Sequence, residues 1–114
     1  MTGIAELAIF TDDVERTSAF YRHLVDASPL SEWPGGAIFA VGDGRLLVHE
    51  RTAAMDDGPP YEDHFAITVD DLDEACMTLS SHGLALLVEP REYPWGRSAY
   101  LRDPGGRLVD LAQS

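Results

Sequence analysis

Glu6, His64 and Asp110 are the side chains in this chain best suited to chemistry. Two are carboxylates and one is an imidazole, and each lies on an otherwise apolar, strand-like stretch. A carboxylate on such a stretch is expensive to bury unless it is paired, hydrogen-bonded or protonated. Two of them facing one cavity would suit a metal ion, a protonated His64 or a basic ligand. An internal repeat links the three positions. Glu6–Val14 overlies His64–Leu72 at a spacing of 58 residues, with the Ala, the Ile and both aspartates coinciding. Trp33, Ala37, Gly44, Arg45 and Leu46 overlie Trp95, Ala99, Gly106, Arg107 and Leu108 at a spacing of 62. Glu6 therefore matches His64, and Val48 matches Asp110. Half-domains built on one plan are expected to hold their site between them.

Val48 has no donor atom, which leaves a four-position metal set incomplete. Glu50 lies two residues further along the same strand, roughly 6.5–7 Å away at the strand rise, and reads as a rim carboxylate. His49 should face the opposite side by alternation. Trp33, Phe39, Tyr93 and Trp95 form an aromatic set able to stack on a flat or cationic ligand through area burial and cation–π attraction. The competing reading makes both tryptophans core or interface residues. Arg97 and Arg102 read as surface or dimer ion-pair partners rather than anion clamps.

The elements that must position these residues follow from periodicity. Residues 4–10 alternate, with Leu7 and Ile9 on one face and Glu6, Ala8 and Phe10 on the other. Residues 63–69 place Phe65, Ile67 and Val69 opposite His64, Ala66 and Thr68. A helix follows each strand. The first is capped by Asp12 or Asp13, with Val14, Thr17, Tyr21, Leu24 and Val25 at helical spacing. The second opens on Asp71 with Glu74 three residues later and buries Leu72, Ala75, Cys76 and Leu79 before stopping at Gly83. Turns at Gly42-Asp43-Gly44 and Asp103-Pro104-Gly105-Gly106 separate strands 37–41 and 45–50 in one half and 98–102 and 107–112 in the other. The fold class is α+β, as two tandem βαβββ modules in one domain over 1–114. The modules span 1–52 and 61–114, and 53–60 is the linker.

With 114 residues and 45% hydrophobic content, the chain can bury a modest core, whereas half of it cannot do so alone. A net charge of −12 argues against nucleic acid, which needs a basic patch. No apolar run is long enough for a membrane span. The start lacks the basic and apolar blocks of a signal peptide. One cysteine, Cys76, excludes an intrachain disulfide and a cysteine-based zinc site. Cytoplasmic residence is the expectation.

Asp13-Val14-Glu15-Arg16-Thr17-Ser18-Ala19-Phe20-Tyr21 resembles the helix signature of the vicinal oxygen chelate superfamily. His64-Phe65-Ala66-Ile67-Thr68-Val69-Asp70-Asp71-Leu72 resembles its histidine strand and second helix start. Asp103-Pro104-Gly105-Gly106-Arg107-Leu108-Val109-Asp110-Leu111 resembles its closing turn and last strand. Pro94-Trp95-Gly96-Arg97 ahead of that turn is similar to bleomycin-resistance proteins. The resemblance implies a glyoxalase/bleomycin-resistance fold with a cupped sheet. In metal-using members each module gives one ligand from its first strand and one from its last, which maps to Glu6, Val48, His64 and Asp110. It also implies a homodimer, whose modules would pair within a chain or be exchanged between chains about the linker.

Two functions compete, and the residues leave open whether the chain is an enzyme. The first is a binding protein that sequesters a cationic or aromatic small molecule without chemistry and without a cofactor. Its site would be Glu6, Trp33, Phe39, Val48, Glu50, His64, Tyr93, Trp95 and Asp110. The alternative is a metal-dependent lyase, isomerase or dioxygenase. In that reading Glu6, His64 and Asp110 hold a divalent ion (Fe, Mn, Ni or Zn).

Overall fold

The computed structural model describes residues 3–51 and 62–114. The linker expected at 53–60 lies outside the described residues. Ten elements follow in chain order: β1(Gly3–Thr11), α1(Val14–Val25), β2(Ser31–Trp33), β3(Gly36–Val41), β4(Gly44–Glu50), β5(His64–Val69), α2(Leu72–Ser81), β6(Val88–Tyr93), β7(Gly96–Arg102) and β8(Leu108–Gln113). The pattern βαβββ occurs twice. By contacts the chain divides into two compact units, Glu6–Asp63 and His64–Ser114, the latter taking in Met1–Ala5.

In the first unit the strand order is β2-β3-β4-β1. β1 runs parallel to β4, and the other neighbours are antiparallel. A parallel pair needs a long crossover, and α1 lies within the one between β1 and β4. Asp13 caps the helix by accepting from the Arg16 N–H at 3.0 Å. Its far end turns on Asp26, which adopts a left-handed conformation at φ 58°. The core under this helix is Ala37, Phe39, Leu46 and Val48, with Ile9 and Tyr21 packed against it. The expected stripe holds at Tyr21 but not at Leu24, which is 67% exposed. Ser18 is the buried residue of α1. The helix thus turns a small side chain, rather than Leu24, to its packed side.

In the second unit the order is β5-β8-β7-β6, again with one parallel pair, β5 with β8. Asp71 caps α2 by accepting from the Glu74 N–H at 3.0 Å. Gln113 at the end of β8 ties this helix start down. Its Oε1 accepts from the Leu72 N–H at 2.9 Å, and its Nε2 donates to the Asp70 carbonyl at 2.6 Å. The expected stripe is buried: Leu72 and Cys76 join Val69, Ala99 and Leu111 in one core, with Ala75 and Leu79 packed against it. Each fully buried aliphatic side chain of this kind contributes roughly 1.5–3 kcal/mol.

Candidate functional site on the second unit

Strand pairing sorts the second unit's side chains onto two faces. Phe65, Ile67 and Val69 of β5 share a face with Ala99, Leu101 and Leu111, and this face packs against α2. The pairs Ala66↔Asp110 and Tyr100↔Asp110 put those three residues on the opposite face, and alternation adds His64, Ser98 and Leu108. The hairpin pairs Arg91↔Ser98 and Tyr93↔Gly96 bring Arg91 and Tyr93 to the same side. This face is buried despite having no helix of its own unit against it. Ser98, Tyr100 and Asp110 are 1%, 2% and 6% exposed.

Asp110 is the charged group that this burial strains. Desolvation raises its pKa, while the nearby Ser98 hydroxyl and the charge of His64 pull it back down. The Ser98 hydroxyl lies near enough to the carboxyl to favour its ionised form. Ser98 Oγ and Asp110 Oδ1 are both buried without a partner among the described residues, and so is the Tyr93 hydroxyl. Burial raises the Tyr93 pKa, Arg91 opposes this, and the Asp110 charge adds to the rise. The phenol and the carboxyl thus sense each other.

A run of rings borders these groups. His64 meets Tyr100 edge to face at 6.0 Å, and Tyr100 meets Tyr93 in the same manner at 6.1 Å. Tyr93 in turn stacks on Trp95 at 4.8 Å with planes 2° apart. Pro94 and Trp95 form the two-residue turn of this hairpin. Gly96 follows at φ 138°, a conformation that suits glycine. Trp95 is 61% exposed, so it covers one face of Tyr93 and offers its own outer face to solvent. Arg97 is held by Asp73 at 2.9 Å and reaches Glu92 at 3.7 Å, and Arg102 donates to the Gly106 carbonyl at 3.0 Å. Arg97 is thus an ion-pair partner, and Arg102 ties the turn at Gly106.

The first unit distributes its candidates differently. The pair Ile9↔Val48 places Val48 on the helix-facing side, away from Glu6. Val48 and Phe39 belong to the core beneath α1, both at 0% exposure, and do not share a face with Glu6. Glu50 lies on the Val48 side, with its carboxylate against Gly35. His49 faces the side opposite Val48 and Glu50, as alternation implies, and this is the face of Glu6 and Phe10, with its ring 5.4 Å from Phe10. Trp33 stands just before the two-residue turn of its hairpin and pairs with Gly36, the place by the turn that Tyr93 rather than Trp95 holds opposite Gly96. The physical reason for these departures is register. Aligning Ala37 with Ala99 superimposes the pair Ile38↔Leu47 on Tyr100↔Asp110. Leu47, not Val48, is therefore the partner position of Asp110.

That register also decides the fit of a metal. Glu6 still corresponds to His64, since the pair Glu6↔Arg45 matches His64↔Leu108. The four related positions are then Glu6, Leu47, His64 and Asp110, and leucine cannot coordinate. Among the described residues no group of three or more histidine, cysteine, aspartate or glutamate side chains is gathered to hold a metal ion. The second unit by itself supplies two donors, His64 and Asp110, and the third candidate, Glu6, belongs to the first unit. Ser98 and Tyr100 are the residues that the motifs did not single out. Their signal was present in the alternation Ser98-Ala99-Tyr100, once β7 is paired with β8.

No curated protein matches the chain. Several solved structures share its fold. Methylmalonyl-CoA epimerase from Mycobacterium tuberculosis is 21% identical with a TM-score of 0.76, over 97% of this chain and 87% of that one. A Streptomyces coelicolor methylmalonyl-CoA epimerase variant bound to 2-nitronate-propionyl-CoA is 24% identical with a TM-score of 0.73, over 100% and 98%. A Legionella pneumophila protein described as an NAD-dependent benzaldehyde dehydrogenase is 18% identical with a TM-score of 0.75, over 95% and 96%. The family model for the Glyoxalase/Bleomycin resistance protein/Dioxygenase superfamily matches residues 3–111. With nearly its whole length matched and two βαβββ units in order, the chain belongs to that superfamily.

Proposed function

We propose that the chain is an enzyme of the isomerase or lyase kind that moves a proton on a small carbonyl compound. Asp110 is the group that takes and returns the proton. The observation that carries this reading is the Asp110 carboxyl itself: 6% exposed, with Oδ1 unpartnered and its pKa raised by burial. A carboxylate whose basicity is lifted toward the working pH is a better general base than a solvated one. In the step, Asp110 Oδ1 accepts the proton from a carbon next to a carbonyl, and the C–H electron pair moves onto the carbonyl oxygen as an enolate. Return of the proton from Asp110 to a neighbouring atom completes an isomerisation, whereas return to the same face of the same carbon restores the substrate. The charge of His64 opposes the effect of burial and favours the ionised form of Asp110 that can accept. That two of the fold's neighbours are epimerases by name supports the same class of reaction.

Sequestration of a ligand without chemistry is the second reading. The exposed outer face of Trp95, backed by Tyr93, supports it as a platform for an aromatic compound. It loses Phe39 as a wall, since that ring lies in the core under α1. A homodimer, implied by the family resemblance, belongs to the same proposal, as does cytoplasmic residence. Among the described residues no helix is long and apolar enough to cross a membrane.

The test is deuterium uptake from D2O into a panel of small ketones and α-hydroxyketones, followed by NMR. At least one compound should exchange faster with protein than without, and Asp110→Asn should slow that exchange by about 100-fold or more. Exchange that is equal in the variant, or absent across the panel, removes the reading.

A further inference from the structure

The outer side of α1 is apolar where its duplicate is polar. Asp13 and Asp71 cap the two helices at the repeat spacing of 58 residues. At that spacing Phe20 and Leu24 of the first unit correspond to Thr78 and His82 of the second. Ser18 is the buried residue of α1, and Phe20, two positions on, lies about 200° round the helix from it, away from the sheet. Phe20 is 60% exposed, and Leu24, one turn later on the same side, is 67% exposed. A βαβββ module does not need apolar groups there, so the pair on α1 calls for another cause. Beside Phe20 the surface is also hollowed. A recess of about 370 Å³ is lined by Asp13, Arg16, Thr17, Phe20 and Tyr21. Its walls are held in place. Tyr21 packs against the core and meets Phe20 edge to face at 5.1 Å. The Thr17 hydroxyl lies 2.9 Å from that of Thr11, and Asp13 is fixed by capping the helix.

We infer that the outer side of α1 is where two copies of this chain meet, with the helices antiparallel about a twofold axis. The recess lies along the first half of the helix, and Leu24 stands near its other end. An antiparallel second copy sets its Leu24 over this recess. The same rotation sets the first copy's Leu24 over the other recess, with both Phe20 rings close to the axis. Each copy thus offers the knob and the hole together, as a twofold contact requires. Charge favours the same arrangement. The first turn of α1 carries Glu15 behind the Asp13 cap, and its last turn carries Arg22 and His23. Antiparallel pairing sets acidic end against basic end and opposes the two helix dipoles. α2 lacks this complementarity: Asp73 and Glu74 stand in its first turn, and its last turn holds no basic residue. In a chain of net charge −12, two copies would repel each other there. The surface rests on the homodimer reading and gives it a contact that needs no exchange of modules.

Sedimentation equilibrium of the intact chain, from micromolar to submillimolar concentration, tests it. The native chain should pass from monomer to dimer and stop there. Phe20→Asp and Leu24→Asp should each raise the dissociation constant by about tenfold or more, because each sets an unpaired carboxylate in an apolar contact. Met77→Asp changes a residue of α2 that is 73% exposed and should leave the constant unchanged. All three side chains project from the fold, so far-UV circular dichroism should be the same in every variant. A native chain that stays monomeric overturns the inference and the homodimer with it. A dimer that neither α1 variant weakens overturns the inference alone, since the two copies would then meet elsewhere. Species that grow beyond the dimer overturn it too, because the recess would then receive a different surface.

Discussion

Asp110 sits where a carboxylate is hardest to keep charged, and the cost has a sign that can be measured. Its pKa is raised by burial, so the folded chain binds this proton more tightly than the unfolded chain, whose carboxyl titrates at about 3.9. The folded state is therefore favoured most by this residue below that value. The contribution is lost as pH rises through the raised folded pKa. Asp103 acts in the opposite sense. The Arg107 backbone N–H donates to it at 2.9 Å and lowers its pKa, so what it adds to stability is present at neutral pH and lost on acidification. A pH curve of the native chain mixes the two, and only a variant isolates Asp110. Asp110→Asn should be more stable than the native chain at pH 7 by about 1 kcal/mol, the scale of a buried unsatisfied group. That corresponds to a Tm higher by about 4–8 °C. The gain should vanish near pH 3, where the native carboxyl is already neutral. Thermal denaturation at the two pH values checks this, and an Asn variant with a lower Tm at pH 7 would show that Asp110 is better satisfied than its orphaned oxygen implies.

Between residue and molecule, hairpin length decides which side chains can meet. The helices, their caps and the order of strands could be read from local patterns because each depends on residues a few positions apart: Asp13 and Arg16, Asp71 and Glu74, Leu72 and Cys76. The face of β4 could not be read that way. Overlaying the repeats on Gly-Arg-Leu matched Val48 to Asp110. The segment joining Tyr100 to Asp110 is one residue longer than that joining Ile38 to Leu47, and a slip of one residue turns every side chain of a strand to the other face. His64, Asp110 and Tyr93 were legible as candidates because motif and register agree there, whereas Val48 and Glu50 moved together with the slip. The first hairpin offers its own test. A methyl on Gly36 would lie 2.5 Å from the Val48 carbonyl oxygen and 2.7 Å from the Trp33 ring. The backbone oxygen cannot swing aside as a side-chain end can. Gly36→Ala should cost about 1–3 kcal/mol, as overpacking does, and shift Trp33 fluorescence toward that of exposed indole. Urea unfolding measures the first effect. An unchanged midpoint would mean that β2 and β3 separate at little cost.

For the molecule as a whole, charge outweighs any one contact. The chain carries 20 acidic residues against 8 basic ones, and all eight are arginine. Asp70, Asp71, Asp73 and Glu74 crowd the start of α2 and are all exposed. The helix dipole favours them individually, but their mutual repulsion does not. Added salt has two opposed effects. It screens repulsion among the acids, which stabilises the compact state, and it weakens ion pairs such as Arg22–Glu32 at 2.7 Å and Arg97–Asp73 at 2.9 Å. Exposed pairs of this kind contribute about 0–1 kcal/mol each. Acids outnumber arginines more than twofold, so most carboxylates have no cation to lose, and relief of repulsion should win. Tm should therefore rise by several degrees between about 0.01 M and 1 M NaCl, as the screening length falls from about 30 Å to about 3 Å. Most of the rise should be complete below about 0.3 M, because screening then already acts within the spacing of neighbouring carboxylates. Sodium sulfate at matched ionic strength separates screening from the general strengthening of apolar burial, which would continue to climb with concentration. A Tm that falls as NaCl is added would mean that the few arginine bridges hold more of the fold together than the surplus of negative charge drives apart.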